Sequence, residues 1–302
     1  MNNLHRFHFE SPSENLCLRS EKMGKKKKIC YYVLIFTFLI YTMYHMSRKP
    51  FSVVKSVLNK NCTSLNSSVH HNNSYWCDWA PFGDTDASEL LGGLDSSFLF
   101  SYAICMFFSG YLAERSNLRY YLTGGMLLSA LSVFLFGLGD WLNIHSFAYY
   151  VVVMIVGGIF QTSGWPAVVT CVGNWFGKKK RGFIFGVWNS HTSFGNILGS
   201  YFAGLFVEYN WGYSFVVPAI IMASFAIIVF LFLTPYPEDV DCESPNHKSV
   251  PQKVELSFIL FFKIEFCNHL ILTLLIFLKL LCYHFVHIVM MPLQDVTKRN
   301  VH

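Results

Sequence analysis

The chain is constrained most by a series of long apolar stretches, the first of which, residues 29 to 47, runs without a break into Arg48 and Lys49. An α-helix crosses a bilayer core in about 20 residues at 1.5 Å rise each. Stretches of that order recur at about 97 to 113, 120 to 139, 147 to 172, 182 to 207 and 213 to 233. Of the 302 residues 53% are hydrophobic and only 14% charged, where a soluble domain carries about a quarter. The class is therefore an all-α polytopic membrane protein. The net charge of +5 sits in short runs between apolar stretches, where it sets orientation and does not mark a nucleic-acid partner. The nine cysteines, Cys105 and Cys171 among them, have no metal-binding spacing and read mostly as small apolar residues. No metal or cofactor is expected.

Residues 1 to 28 form a polar, basic tail ending in Lys25-Lys26-Lys27-Lys28, an anchor that puts the N-terminus in the cytosol. The first apolar stretch begins too late and runs too long for a signal peptide, so it is a retained span. Residues 59 to 91 are polar and hold three glycosylation acceptors, at Asn61, Asn66 and Asn72, which mark a lumenal loop. Cys62 and Cys77 in that loop either pair or stay as free thiols. Inner loops carry Glu114-Arg115, Arg119 and Lys178 to Arg181, while Asp140 to Ser146 and Glu208 to Gly212 hold no Lys or Arg. The alternation predicts six spans over 29 to 233 with both ends cytosolic. Residues 234 to 255 form an acidic, proline-bearing cytosolic linker. Residues 256 to 302 are an atypical hydrophobic segment, in which 266 to 292 is long enough for a seventh span.

On a helix, Tyr41, Tyr44, His45, Arg48, Ser52 and Lys55 share one stripe. Arg48 has two readings. It marks the outer end of the first span and snorkels to the headgroups, or Pro50 to Leu58 continues the helix and leaves Arg48 inside it, suited to bidentate contact with a phosphate. Lys49 points about 100° away, toward the same anion or the interface. The fifth span clusters Asn189, Ser190, His191, Thr192 and Asn196, and its Gly182/Gly186 and Gly195/Gly199/Ala203 pairs form two small-residue ridges for close helix contact. His191 is either a satisfied core histidine or a substrate contact. Gln161-Thr162-Ser163-Gly164-Trp165-Pro166 reads as a kink, lining a cavity or serving packing. No nucleophile with a base, no phosphate loop and no paired intramembrane carboxylates occur, so an enzyme is not expected.

Gly110-Tyr111-Leu112-Ala113-Glu114-Arg115-Ser116-Asn117-Leu118-Arg119 resembles the loop signature between spans two and three of the major facilitator superfamily, with Glu114 in place of its usual Asp and Asn117 in place of its Gly. Together with Arg48-Lys49, Gly164-Trp165-Pro166, Trp175-Phe176, Lys180-Arg181-Gly182 and Trp188-Asn189, it looks like the organophosphate:phosphate antiporter branch. Met46 to Pro50 and Trp76-Cys77-Asp78-Trp79-Ala80-Pro81-Phe82 are similar to the vertebrate sugar phosphate exchangers of the endoplasmic reticulum, the group of the glucose-6-phosphate transporter. The resemblance covers about residues 29 to 236.

It implies the N-terminal six-helix half of a major facilitator fold in the endoplasmic reticulum membrane. The implied activity is antiport of a sugar phosphate, glucose 6-phosphate, against inorganic phosphate by alternating access. It implies that Arg48 binds the phosphoryl group together with a basic residue of the second half, and a signature loop at Gly110, Glu114, Arg115 and Arg119; with the stripe and the polar cluster of the fifth span, the candidate substrate contacts are Arg48, Lys49, Tyr41, Tyr44, Asn189 and His191. Relatives often carry His four residues after the Trp of span five, where this chain has Thr192; His191 is three after Trp188. The second half's pattern is lost after 256, so the chain is expected to be a truncated or alternative product, or an incomplete gene model. The partner expected is a second half-unit or a full-length homologue, and the alternative function is a non-transporting half that binds and regulates one.

Overall fold

The computed structural model describes residues 12 to 59, 79 to 82, 86 to 176 and 181 to 240, and side chains within these except 12 to 26 and 181. Asn61, Asn66, Asn72, Cys62, Cys77, Lys178 to Lys180, most of the acidic linker and the segment 256 to 302 lie outside the described residues.

Eight α-helices follow one another: α1 Pro12–Leu58, α2 Ala87–Arg115, α3 Leu118–Trp141, α4 Phe147–Gln161, α5 Gly164–Trp175, α6 Arg181–Trp188, α7 His191–Phe206 and α8 Tyr213–Phe232. Among the described residues five stretches are long and apolar enough to cross a membrane: Lys27–Leu58, Ala87–Arg115, Leu118–Trp141, Phe147–Trp175 and Tyr213–Phe232. The chain is an all-α polytopic membrane protein. The stretch at 182 to 207 is made of two helices, α6 and α7, parted by a turn at Asn189-Ser190, as that at 147 to 172 is made of α4 and α5. At that turn Ser190 N–H bonds Val187 O at 3.1 Å and Thr192 N–H bonds Asn189 O at 3.1 Å, the tight i→i+3 pattern. Ser, Asn and His side chains concentrated there favour a local turn over an uninterrupted helix.

The bundle is built from three main helix pairings, α1 on α7, α3 on α8 and α2 on α4. In α3, 72% of the most apolar window is buried, against 11% in α2, so α3 is central and α2 peripheral. Gly195 and Gly199 of the small-residue ridge form the α1–α7 seam, while the Ala203 carbonyl accepts from Ser214 Oγ–H of α8 at 2.9 Å. A Cβ on Gly195 would lie 2.6 Å from Thr42 O, and one on Gly199 2.6 Å from Met46 O. The Met46 carbonyl is the one that Pro50, lacking an N–H, leaves without its helical donor, and Gly199 of α7 lies against it. The other expected ridge fails: nothing lies within 4 Å of a Cβ on Gly182 or Gly186. Those two glycines stand on an open face of α6.

Each end of the bundle has its own chemistry. At one end Tyr32 O–H donates to Phe232 O at 3.1 Å and Trp175 Nε1–H to Thr234 O at 3.0 Å, tying α1, α5 and the end of α8 together. Lys27, Lys28, Arg115 and Arg119 belong to this end. At the opposite end Trp79, Phe82, Tyr150, Trp211 and Phe215 are buried with Phe51, Leu58 and Phe136 in an aromatic cluster. The signature residues expected as a loop are largely helical: Gly110 to Arg115 complete α2, and only Ser116 and Asn117 connect to α3. Asn117 caps α3 by accepting from Arg119 N–H at 3.1 Å, and the Arg115 guanidinium lies 3.6 Å from the Tyr111 ring centre. Glu114 is exposed, and a Cβ on Gly110 would meet open space.

Candidate anion site

Arg48 lies ten residues before the end of a helix that continues through Pro50 to Leu58. It is therefore not at the outer end of its span. A cation there costs about 2.5 to 3.5 kcal/mol to insert, and its surroundings recover part of that.

Its Nε–H donates to Gln161 Oε1. Gln161 is 1% exposed and its own amide donates to Ser47 Oγ at 3.2 Å, whose hydroxyl donates to Tyr44 O at 2.9 Å. This chain of bonds fixes the fork's orientation from two helices. The guanidinium carbon stands 4.6 Å from the Tyr102 ring centre and 5.9 Å from that of Phe98, both on α2, a cation–π arrangement that favours the charge without neutralising it. Nη2 is buried and has no hydrogen-bond partner, and no carboxylate among the described residues pairs with Arg48. A half-buried guanidinium with one buried, open donor is built to meet an acceptor from outside the fold.

Gln161 is available because α4 ends there. Pro166 has no N–H for the Thr162 carbonyl, and Ser109 Oγ–H supplies the missing donor at 2.8 Å. Ser163 Oγ shares a hydrogen bond of 2.9 Å with Tyr44 Oη, and a Cβ on Gly164 would press the Tyr44 ring at 2.9 Å. The Gln161 to Pro166 segment is thus a stabilised break that holds Gln161 against Arg48 and turns Trp165 toward Tyr41.

Tyr41 is the hub of an aromatic cluster. Its ring centre lies 4.7 Å from His191, 5.1 Å from His45, 5.4 Å from Trp165 and 6.0 Å from Trp188. Tyr44 is fully buried with its hydroxyl on Ser163, so it supports the break and presents nothing to an open face. His191 has zero exposure and packs edge-on against Trp188 at 4.3 Å. Lys49 is half-buried with its Cβ side against α7 near Gly199. Asn189 is exposed at the α6–α7 turn and makes no described contact with Arg48. Of the stripe's outer members, Ser52 is exposed, and Lys55 pairs with Asp95 and lies 4.9 Å from the Phe51 ring centre. The structure therefore gathers Arg48, Tyr41 and His191 and leaves Asn189 apart. Reasoning from the sequence missed Gln161 as the anchor of Arg48 and missed Tyr102. An amide followed by Gly-Trp-Pro inside an apolar stretch is the signal for the first; Tyr102, one turn from Phe98, carries none.

A helical membrane bundle with an unpaired interior cation and a broken helix beside it defines a membrane transport protein. The chain belongs to the Major Facilitator Superfamily, whose pattern matches residues 32–299. That match runs past 236, where the resemblance read from the motifs stops. Among curated relatives, the bovine glucose-6-phosphate exchanger SLC37A2 is 58% identical over 226 residues, 74% of this chain and 46% of that protein. The human SLC37A2 is 57% identical over 223 residues, 72% of this chain and 44% of that protein. The mouse glucose-6-phosphate exchanger SLC37A1 is 49% identical over 235 residues, 72% of this chain and 44% of that protein. The chain spans slightly less than half the length of these relatives.

Proposed function

We propose that this chain carries the phosphoryl-binding half of an antiporter that exchanges a sugar phosphate, glucose 6-phosphate, for inorganic phosphate by alternating access. The observation behind this reading is Arg48: fixed by Gln161, flanked by Tyr102, buried at Nη2 and without a carboxylate. A phosphoryl oxygen would complete its hydrogen bonding with a charge-assisted bond. Tyr41 and the rings around it supply an aromatic wall next to the cation, the kind of surface a sugar's C–H face packs on. The relatives' description as glucose-6-phosphate exchangers supports the choice of substrate.

The rest of the account belongs to the same proposal: the endoplasmic reticulum membrane, a cytosolic N-terminus, glycans at Asn61, Asn66 and Asn72, six spans, and a second six-helix body completing the site. A regulatory, non-transporting half is the second reading. It is favoured by the exposed apolar faces of α2 at Phe100, Phe107 and Phe108 and of α7 at Phe194, Ile197 and Tyr201, which offer helix surfaces to a partner. Proteoliposomes loaded with radiolabelled phosphate and challenged with external glucose 6-phosphate separate the two. Efflux by this chain supports exchange; no efflux, together with altered efflux when a full-length exchanger is co-reconstituted, supports regulation.

A further inference from the structure

Two imidazoles and one hydroxyl are strung together behind the anion site. Thr192 Oγ1 lies 3.4 Å from His45 Nε2 and 3.2 Å from His191 Nδ1. The rings stack with centres 5.5 Å apart and planes 23° apart. The far nitrogen of His191, Nε2, is buried without a hydrogen-bond partner. Tyr41, Trp188 and Phe38 wall the His191 ring, with centres at 4.7, 4.3 and 6.1 Å. His45 is half-buried and sits one turn before Arg48 on α1.

The Thr192 hydroxyl has one hydrogen to donate. If it donates to His191 Nδ1 it must accept from His45 Nε2–H, and if it donates to His45 Nε2 it must accept from His191 Nδ1–H. In either arrangement the two neutral rings hold the same tautomer, both protonated at Nε2 or both at Nδ1, and an added proton has a route between them. A proton taken up at His45 Nδ1 makes that ring a cation donating through Nε2–H. Two hydrogens then shift together: the Nε2–H bond breaks as a new bond forms at Oγ1, and the original Oγ1–H bond breaks as one forms at His191 Nδ1. The charge has moved from His45 to His191, the hydroxyl is regenerated, and no other reactant is needed.

The surroundings leave that added charge without a protein counter-ion. No carboxylate occurs on α5, α6, α7 or α8, or in 27 to 58 of α1; on α2 Asp95 is taken by Lys55, Glu89 stands in the first turn and Glu114 in the last, and Asp140 stands in the last turn of α3 beside Asn210 and Gly212. The other titratable or charged groups on the packed elements are Lys, Arg, Tyr and Cys side chains, among them Tyr41, Tyr44, Arg48 and Lys49 on α1, Tyr102 on α2, Tyr121 on α3, Cys171 on α5, Tyr201 on α7 and Tyr213 on α8. None of these supplies a counter-charge as an ordinary acid near neutral pH. An anion at Arg48 does.

We propose that His45, Thr192 and His191 form one proton-binding site, in which a single added proton is shared between two imidazoles through the Thr192 hydroxyl and is linked to occupancy of the anion site at Arg48. The linkage rests on the phosphoryl-binding reading given above; the shared proton does not. By reciprocity, an anion that raises the site's proton affinity has its own affinity raised by the same factor on protonation. Loss of a hydrogen bond to a charged group lowers proton affinity by about tenfold or more.

The test uses the full 302-residue chain in nanodiscs. Intrinsic tryptophan emission is followed from pH 8.5 to 3, with Trp188 beside His191 as reporter, with and without inorganic sulfate, which stays predominantly a dianion over that range. The expected result is a protonation step whose midpoint rises with saturating sulfate, falls by at least about one pH unit in Thr192→Val, and returns in Thr192→Ser. Should Thr192→Val not fold, His45→Gln serves, and the step at the wild-type midpoint must disappear. A midpoint unchanged in Thr192→Val, or a wild-type step persisting in His45→Gln, overturns the proposal. So does a midpoint indifferent to sulfate while sulfate binds. If sulfate binds at no pH and Thr192→Val still lowers the midpoint tenfold, the shared proton stands and the phosphoryl-binding reading falls.

Discussion

Arg48 is the residue at which cost and use meet. Replacing it with Ala removes a charge-assisted contact worth about 1.5 to 3 kcal/mol, so phosphate affinity should fall roughly 10- to 150-fold, read by calorimetry, while membrane insertion persists. Gln161→Leu should act differently. It leaves Arg48 Nε without its acceptor and Ser47 without its donor, and should lower stability by about 1 to 3 kcal/mol as well as loosening anion binding; a change in affinity with no loss of thermal stability would contradict that anchoring role. The Arg48 stripe was legible from spacing alone, because helical periodicity puts Tyr41, Tyr44, His45 and Arg48 on one side. What each member does was not. Tyr44 turns inward to Ser163 and Lys55 to Asp95 because partners 119 and 40 positions away decide where a hydroxyl or an ammonium goes. No local pattern reports such distances.

At the scale of elements, the α1–α7 seam is set by two glycines whose missing side chains are replaced by the backbone of α1. Gly195→Val or Gly199→Val would drive a side chain into Thr42 O or Met46 O, a clash backbone cannot relieve by rotating. Each should cost about 1 to 3 kcal/mol or more, seen as a lower unfolding temperature in detergent. Gly186→Ala is the contrasting case: nothing stands within 4 Å, and the gain in helix propensity is up to about 1 kcal/mol, so stability should hold or rise. The sequence pattern showed small residues at both places with the same spacing. Only packing distinguishes them, since α7 lies against α1 whereas α6 turns its glycines to an open face. The broken fifth stretch follows the same logic, because polar side chains dense enough to line a cavity are also dense enough to turn the chain.

For the whole molecule, hydropathy was the strongest signal and carried furthest: apolar stretches, short connections and basic runs specify a polytopic bundle before any contact is known. Pairing of the helices, the Gln161 break and the buried aromatic end required three dimensions. The proposed orientation predicts that a glycosidase mobility shift disappears only when Asn61, Asn66 and Asn72 are all replaced; a shift surviving the triple replacement would place the glycans elsewhere. Exposed faces on α2 and α7 belong with lipid or with another helical body.

The guanidinium of Arg48 is proposed to bind a phosphoryl group inside the membrane, and calorimetric titration of inorganic phosphate into the chain in nanodiscs reads that binding itself. Binding by the wild type, reduced at least about tenfold in Arg48→Ala and only partly restored by Arg48→Lys, which lacks the planar fork, is the predicted result. Equal phosphate affinity in the wild type and Arg48→Ala would contradict it.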